Sequence, residues 1–597
     1  MKKYLLLCVS VFVTMLVSGQ EPSILVRGNV HSEECKSWVE AKLSNMTLKE
    51  KIGQLFIHTV ALQNTQQNRR NIQNAVKEYK VGGLLFSGGQ LVDQVNLTNY
   101  AQELAEIPLL MTFDGEWGLA MRLKGTPTFP RNRVLGCIQD NTLLYEYGKE
   151  VARQCREIGV HVNFAPVADV DNNPQNPVIN TRSFGGDPKN VAEKVIAYSQ
   201  GLEEGGVLSV SKHFPGHGDT NVDSHKALPV LTFSRERLDS IELYPFRKAV
   251  DVGLGGMMVG HLEVQQVSKK PASLSSDVIG ILTKELGFKG LVFTDALEMK
   301  GVSNNLDVCA RALMAGNDLL LAPRNLKREL DGVLSAVKKG WLTEVLITEK
   351  CRKVLTYKYA LGLHRKQFVQ LSGLEQRLNQ PHTQALKERM QKAAVTVASN
   401  EGGVLPIEMN LKGTAVLNIG KPSDVQGFYN RLKRYLAVDC IQANADSIEK
   451  LRKRLLGYDR IIVAIHTEKY DAYKPLLNTL SEKKPLVYTY FTPLRRMYNK
   501  GTAWKKAAAV ILGHAGDEAV QHFVAEALVG KVIPSGRMSV EVEGFLLPGD
   551  GVDLGAPMTK VYRPQDYGMN EAVLNRIDDI ALEGIKAKAY PGCQIVI

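Results

Sequence analysis

The sequence predicts an α/β chain: a (β/α)8 TIM barrel, then a doubly wound α/β sandwich domain, then the beginning of a third domain. Three observations carry this reading. Eight short apolar runs alternate with segments of helical period between residues 52 and 323. Ionisable residues gather at the ends of those runs. Beyond Leu363 a second series of apolar runs begins, with helical partners of its own.

Taken in order, MKKYLLLCVSVFVTMLVSGQ (1–20) places two lysines ahead of an apolar stretch that closes on small residues. This is the layout of a secretory signal peptide, so an exported protein, periplasmic or secreted, is expected. No later stretch approaches the length of a spanning helix, so no integral membrane segment is expected. The eight runs are IGQLFIHTV, VGGLLFSGG, IPLLMTFDG, VHVNFAPVADV, VLSVSKHFPGHG, GGMMVGHL, KGLVFTDAL and AGNDLLLAP. Amphipathic stretches such as DNTLLYEYGKEVARQCREIG and DPKNVAEKVIAYSQGLEEGG separate them. Strand and helix alternating eight times fit a closed barrel over 36–365 better than an open sheet.

The polar stretch HRKQFVQLSGLEQRLNQPHTQ opens a linker over 366–400. From 401 to 546, TAVLNIG, DRIIVAIHT, KPLVYTYF and AAVILGHA alternate with helical SDVQGFYNRLKRYL and EAVQHFVAEALVG, the pattern of a doubly wound sheet. Its LNIGKPSD turn has neither G-x-G-x-x-G nor a P-loop. A second linker spans 547–566. From 567 to 597 a helix, a Pro-Gly turn and an unpartnered strand imply that the sequence stops inside a third domain, as a fragment of a longer protein.

The net charge of +12 is dilute over 597 residues, and no basic run carries interleaved aromatics. Nucleic acid is therefore not an expected partner. The cysteines after the signal, at 35, 137, 155, 309, 351, 440 and 593, show neither a Cys-x-x-Cys pair nor a regular spacing, so buried free thiols are expected. Nothing fixes the oligomeric state.

The stretch KHFPGHGDTNVDSH (212–225) concentrates chemistry: His213, His217 and His225, with Lys212, Asp219 and Asp223, on a loop bent by Pro215, Gly216 and Gly218. Asp114, Asp169, Lys212, His213, His261, Asp295 and Asp318 are read at or just beyond the C-terminal ends of the runs, the end that holds a barrel's active site. Asp169, His261 and Asp318 are equally readable as buried structural groups, and His217 as a substrate contact or a loop anchor. A metal site built on His213, His217, Asp223 and His225 is the rival chemistry. Pro215 and Gly216 keep the first two histidines off one helical face, and Lys212 would stand beside the cation. A non-catalytic glycan-binding module is a third reading.

These motifs resemble glycoside hydrolase family 3, and within it the β-N-acetylglucosaminidase branch, from MTLKEKIGQLF (46–56) to GKVIPSGRMSVEVEG (530–544). KHFPGHGD followed by DSH is the most specific part. The eight-residue step from Asp114 to Arg122 and the NTRSFG run (180–185) also match; DGEWG (114–118) departs from the Gln-Glu-Gly-Gly of many relatives, with Trp117 positioned to reshape the sugar pocket. The resemblance implies Asp295, in VFTDALEM, as nucleophile, Asp223 and His225 as acid/base dyad, and sugar-binding roles for Asp114, Arg122, Arg182, Lys212 and His213. It implies a retaining hydrolase that removes terminal β-linked N-acetylglucosamine from peptidoglycan fragments or chitooligosaccharides, with no cofactor and no metal. A β-glucosidase and a phosphorylase are the alternatives. The residues after 567 resemble the start of a serine β-lactamase-like domain.

The chemistry suits the residue types. A retaining glycosidase needs a rigidly held nucleophile and a proton donor that is later a base. A histidine oriented by a carboxylate two residues away titrates near neutral pH and can serve in both steps.

Overall fold

The eight apolar runs each contain a strand, and their burial shows why. Labelled in chain order, β1 is Phe56–Val60, β2 Gly83–Phe86, β3 Leu110–Phe113, β4 Val162–Asn163, β5 Ser211–Phe214, β6 Gly256–Val259, β7 Leu291–Thr294 and β8 Leu320–Leu321. β3, β5, β6 and β7 are buried at every residue, as strands covered on both faces must be. The computed structural model describes residues 32–224, 226–302, 307–408, 413–492, 505–555 and 569–590. The expected signal at 1–20 lies outside them.

All the pairings among these strands are parallel. β8, β1, β2, β3 and β4 pair in that order. β4 also pairs with Leu208–Ser209, which leads directly into β5. β5, β6 and β7 form a second group. Isolated parallel bridges between Val167 and Lys212, and between Phe293 and Leu319, join the two groups. Phe164, just after β4, meets Phe293 of β7 edge-on with ring centroids 5.5 Å apart, both fully buried.

Helices Thr142–Glu157 and Pro188–Glu204 pack unusually close on the outside. A Cβ on Gly148 would lie 2.2 Å from the Tyr198 carbonyl oxygen, and one on Gly201 2.2 Å from that of Tyr145. Only glycine permits that crossing. Asp187 caps the second helix by accepting from the N–H groups of Lys189 and Asn190, and Pro188 opens it.

Asp318 departs from its expected position. It precedes β8, at the strand's start rather than its end, and its carboxylate accepts from Val292 N–H (3.0 Å), Lys350 (3.3 Å) and Lys353 (2.6 Å). The run AGNDLLLAP places the aspartate ahead of its leucines, so the chain enters the strand through it.

The second sheet holds β9 (Thr396–Ser399), β10 (Thr414–Ile419), β11 (Val438–Gln442), β12 (Arg460–Ile465), β13 (Leu486–Tyr490) and β14 (Ala509–Leu512), in the spatial order β9-β14-β13-β12-β10-β11. Only β9 is antiparallel to its neighbour. Two apolar clusters cover its two faces, the layering of a doubly wound domain.

β9 and the helix Pro381–Ala394 both fall in the interval read as a linker. The four residues TVAS give no periodic signal; what makes them a strand is pairing with β14. The interval read as a second linker also packs back in part, with Val552 N–H donating to Val397 O at 2.8 Å. Helix Glu571–Lys586 follows at the start of the expected third domain, with Val573, Ile580, Leu582 and Ile585 exposed. Among the described residues no helix is long and apolar enough to cross a membrane. Of the described cysteines, Cys35, Cys137, Cys155, Cys309 and Cys351 are buried free thiols and Cys440 is a half-buried one; Cys593 is not among the described residues.

Candidate active site

The site begins with an irregularity in β5. Ser211 and Phe214 align with Met257 and Val259 of β6, so Lys212 and His213 together oppose the single residue Met258. In a regular strand adjacent side chains point to opposite faces; a bulge lets two neighbours serve one site.

From that bulge a chain of polar contacts runs across the strand ends. Lys212 Nζ lies 3.1 Å from Asp114 and 2.9 Å from Glu116. Asp114 also accepts from Arg122 at 2.8 Å. Arg182 grips Glu116 with two nitrogens, at 2.9 and 2.7 Å, and its Nη2 stands 3.4 Å from His213 Nε2. His213 Nδ1 lies 2.7 Å from Asp169, whose other oxygen accepts from the His213 and His217 N–H groups at 3.2 and 2.7 Å. Asp114, Arg122, Arg182, Lys212 and His213, the residues expected to bind sugar, are thus brought into one network.

Local structure holds the outlying members. Arg182 closes a one-turn helix, Asn180–Arg182, entered through an Asn176 side chain that accepts from the Val178 and Ile179 N–H groups. Asn132 donates to the Arg182 carbonyl, and Ser183 ties the exit to the Asp169 carbonyl.

Glu116 was not singled out in the sequence. It is fully buried, and only its two cations make an ionised carboxylate tenable there. Burial pushes its carboxyl up, but Arg182 and Lys212 more than reverse this and hold it far below the ordinary value. Burial likewise opposes Lys212, whose neighbours Glu116 and Asp114 keep its ammonium above the usual value. The signal available was DGEWG itself, where a glutamate follows Asp114 by two residues at a strand end.

Asp295 immediately follows β7, with its N–H donating to Val259 O at 2.9 Å and its Oδ1 accepting from Ala296 N–H at 2.8 Å. Burial raises its carboxyl, and His213, His261, the Ala296 N–H and Lys212 bring it below the ordinary value. His261 is structural in its contacts, bonded to Ser273 Oγ (2.7 Å) and the Ala296 carbonyl (3.0 Å), and burial draws its pKa below the ordinary value.

The histidine-rich loop is anchored through His217. Thr220 Oγ1 lies 2.7 Å from its Nδ1 and Ser224 Oγ 3.0 Å from its Nε2, while burial draws its pKa down to about 4. Both nitrogens being engaged, His217 holds the loop. Ser224 is buried, and a Cβ on Gly301 would lie 3.4 Å from its carbonyl oxygen and 3.6 Å from His261 Cβ. Ser224 therefore lies against the loop that follows Asp295. Asp223 is half-buried, with Lys226 Nζ 4.0 Å away; His225 lies outside the described residues. Among the described residues no group of three or more His, Cys, Asp or Glu side chains is arranged to hold a metal ion.

Residues 47–357 match the model of the glycosyl hydrolase family 3 N-terminal domain. The chain belongs to glycosyl hydrolase family 3. It is similar to a β-N-acetylglucosaminidase/β-glucosidase of Cellulomonas fimi, 28% identical over 62% of this chain and 68% of the relative. It is also similar to the β-hexosaminidase LpqI of Mycobacterium tuberculosis, 34% identical over 52% of this chain and 82% of the relative. Among solved structures, a family 3 β-N-acetylglucosaminidase from Paenibacillus sp. superposes with a TM-score of 0.67 at 27% identity, covering 83% of this chain and 99% of that one. A β-glucoside phosphorylase, BglX, superposes at 0.70 with 21% identity over 86% and 98% of the two chains, a likeness of fold alone. As a family member the chain is a glycoside hydrolase.

Proposed function

We propose that this enzyme is an exported, retaining β-N-acetylglucosaminidase that works at the C-terminal face of a (β/α)8 barrel. One observation carries the reading: the Asp295 carboxylate is kept ionised beside a continuous network of sugar-binding character, Asp169–His213–Arg182–Glu116–Lys212–Asp114–Arg122. A nucleophile must be unprotonated and rigid, and Asp295 is both. Fixed charges on either side of Lys212 suit hydroxyl groups, which donate to the carboxylates and accept from the cations.

Asp295 attacks the anomeric carbon while the leaving oxygen takes a proton from His225; water then releases the sugar with the same histidine as base. Asp223 accepts from one ring nitrogen and orients the other toward the bond. Anchorage of Ser224 on His217 supports this reading, because it holds the residue that directly follows Asp223. The similarity to enzymes named β-hexosaminidase and β-N-acetylglucosaminidase supports the acetamido sugar, with peptidoglycan fragments or chitooligosaccharides as the substrate class. The signal pattern at 1–20 supports export.

The test is release of chromophore from an aryl β-N-acetylglucosaminide and the matching β-glucoside, by wild type and by His225→Ala, with and without phosphate. Selective cleavage of the acetamido sugar, weakened in the variant, is expected. Preference for glucose, an unaffected variant, or sugar 1-phosphate as product each contradicts a separate part of the proposal.

A further inference from the structure

At the end of the barrel opposite the site lies a groove of about 1150 Å3, whose lining includes Lys149, Arg156, His161, Phe368 and Val369. His161 directly precedes β4, and Gly205 and Gly206, also in the lining, precede the strand Leu208–Ser209. The groove therefore opens at the N-terminal ends of the strands, and its volume admits a small organic molecule.

One wall is part of the stretch read as a linker, and it is pinned to the barrel. Val369 N–H donates to Asn99 Oδ1 and the Val369 carbonyl accepts from Asn99 Nδ2, each at 2.8 Å, on the helix Leu91–Leu104. Arg377 donates to the Gln370 and Ser372 carbonyls at 2.7 and 2.6 Å. Phe368, on this fixed wall, is 57% exposed, so an apolar ring borders the groove.

His161 is the anomaly. It is only 7% exposed, and its Nδ1 accepts from Met111 N–H at 3.1 Å. Burial, with the Lys358 ammonium nearby, draws its pKa down to about 3, so the ring is neutral and its single proton sits on Nε2. That Nε2–H has no hydrogen-bond partner among the described residues. A buried donor left idle is costly unless something in the groove accepts from it.

A positive charge stands beside that donor. Arg156 Nη1 lies 3.5 Å from the Gly205 carbonyl, and the chain leaving this turn bonds back to His161, with Leu208 N–H donating to the His161 carbonyl at 2.9 Å. Neither Arg156 nor Lys149, seven residues before it on the helix Thr142–Glu157, forms an ion pair among the described residues. The glutamates of the lining are all taken: Glu146 by Arg389, Glu150 by Arg153 and Glu157 by Arg377. Free cations, a free donor and no free carboxylate favour an anion.

We propose that this groove is a second binding site, for an organic oxyanion whose carboxylate or phosphate group is held by Arg156 and the His161 Nε2–H while its apolar body lies against Phe368. The site is independent of the glycosidase chemistry at the other strand ends.

The experiment is calorimetric titration of the protein with phenylacetate and with phenyl phosphate, which separates the two kinds of anion. Saturable binding of one equivalent, with Kd of about 1 mM or below, is expected for at least one of them. Arg156→Gln, at an exposed position, is expected to weaken it about tenfold or more. His161→Asn keeps an acceptor for Met111 N–H but loses the Nε2 donor, and about a tenfold loss is expected of it too. Arg122→Gln, in the charged network at the opposite end, is expected to leave the affinity within about twofold. Binding unchanged in Arg156→Gln, binding lost in Arg122→Gln, or no saturable binding of either probe up to about 10 mM would each overturn the site and leave a solvent-filled groove.

Discussion

Two clusters of buried carboxylate and lysine occupy opposite ends of the parallel strands, and the contrast between them separates function from support. Lys212 stands between Asp114 and Glu116 at the end of β5, with Asp114 and Arg122 still partly open to solvent. Asp318 stands between Lys350 and Lys353 at the start of β8, with both partners on the helix Glu344–Ala360. Both clusters depress carboxyl pKa values by the same means, since attraction to neighbouring lysines outweighs burial. A perturbed carboxylate is therefore not by itself a mark of catalysis. What distinguishes the first cluster is its place at the C-terminal strand ends and the partial exposure of Asp114 and Arg122. In the second, both lysines come from one helix and are engaged with Asp318.

The sharpest way to break this comparison is to neutralise one aspartate at each end. Asp295→Asn is expected to lower kcat by about 10^3-fold or more, as loss of a covalent nucleophile does, with little change in the thermal midpoint. Asp318→Asn is expected to do the reverse: a clear fall in the midpoint, and kcat per folded molecule within about twofold. Steady-state kinetics beside thermal melts measures both, and a kinetic defect in Asp318→Asn would erase the distinction drawn here.

Next in size are the two lysines. Lys212→Met and Lys350→Met each remove one of the cations that compensate buried carboxylate, leaving Arg182, Arg122 or Lys353 in place, and each is expected to cost up to about 3 kcal/mol of stability, read from denaturant unfolding. Only Lys212→Met should also raise KM and lower kcat, because only its partners face substrate. Equal kinetic effects would show that the Asp318 cluster reaches the site through the strands.

The smallest effect is on acid stability. Asp114, Glu116, Asp295 and Asp318 all have folded pKa values below their ordinary ones. The unfolded chain therefore binds their protons first as pH falls. Their contribution is complete above about pH 4.5 and is lost as pH drops through the lower folded values. In Lys212→Met the Asp114 and Glu116 carboxyls lose the cation they share, so acid unfolding should begin at higher pH than in wild type. Thermal midpoints measured across the acid range would detect this, and superimposable curves would contradict the assignment of Lys212 as their common partner.

The comparison also shows what was legible beforehand. Eight apolar runs gave eight parallel strands because a strand buried on both faces must be apolar throughout, a signal visible in four to six consecutive residues. The polar ends of those runs located Asp114, Lys212, His213 and Asp295 because side chains there are the first to leave the core. Asp318 was misplaced for the same reason, since a run bounded by an aspartate does not say which end of the strand the aspartate occupies. Strand β9 was missed because TVAS has no pattern without β14 beside it. Glu116 was missed because a glutamate in a loop normally signals solvent, and nothing local says that Arg182, many residues on, will bury it.

The sequence by itself determined the alternation of strand and helix, the two-domain order and the loop chemistry of 212–225, all properties of residues close together in the chain. Only the tertiary structure decided which charges meet. The bulge that turns Lys212 and His213 to one site, the pairing of Arg182 with Glu116 and the packing of Gly301 against Ser224 all depend on the approach of distant segments. Their energies exist only after burial has removed water from between them.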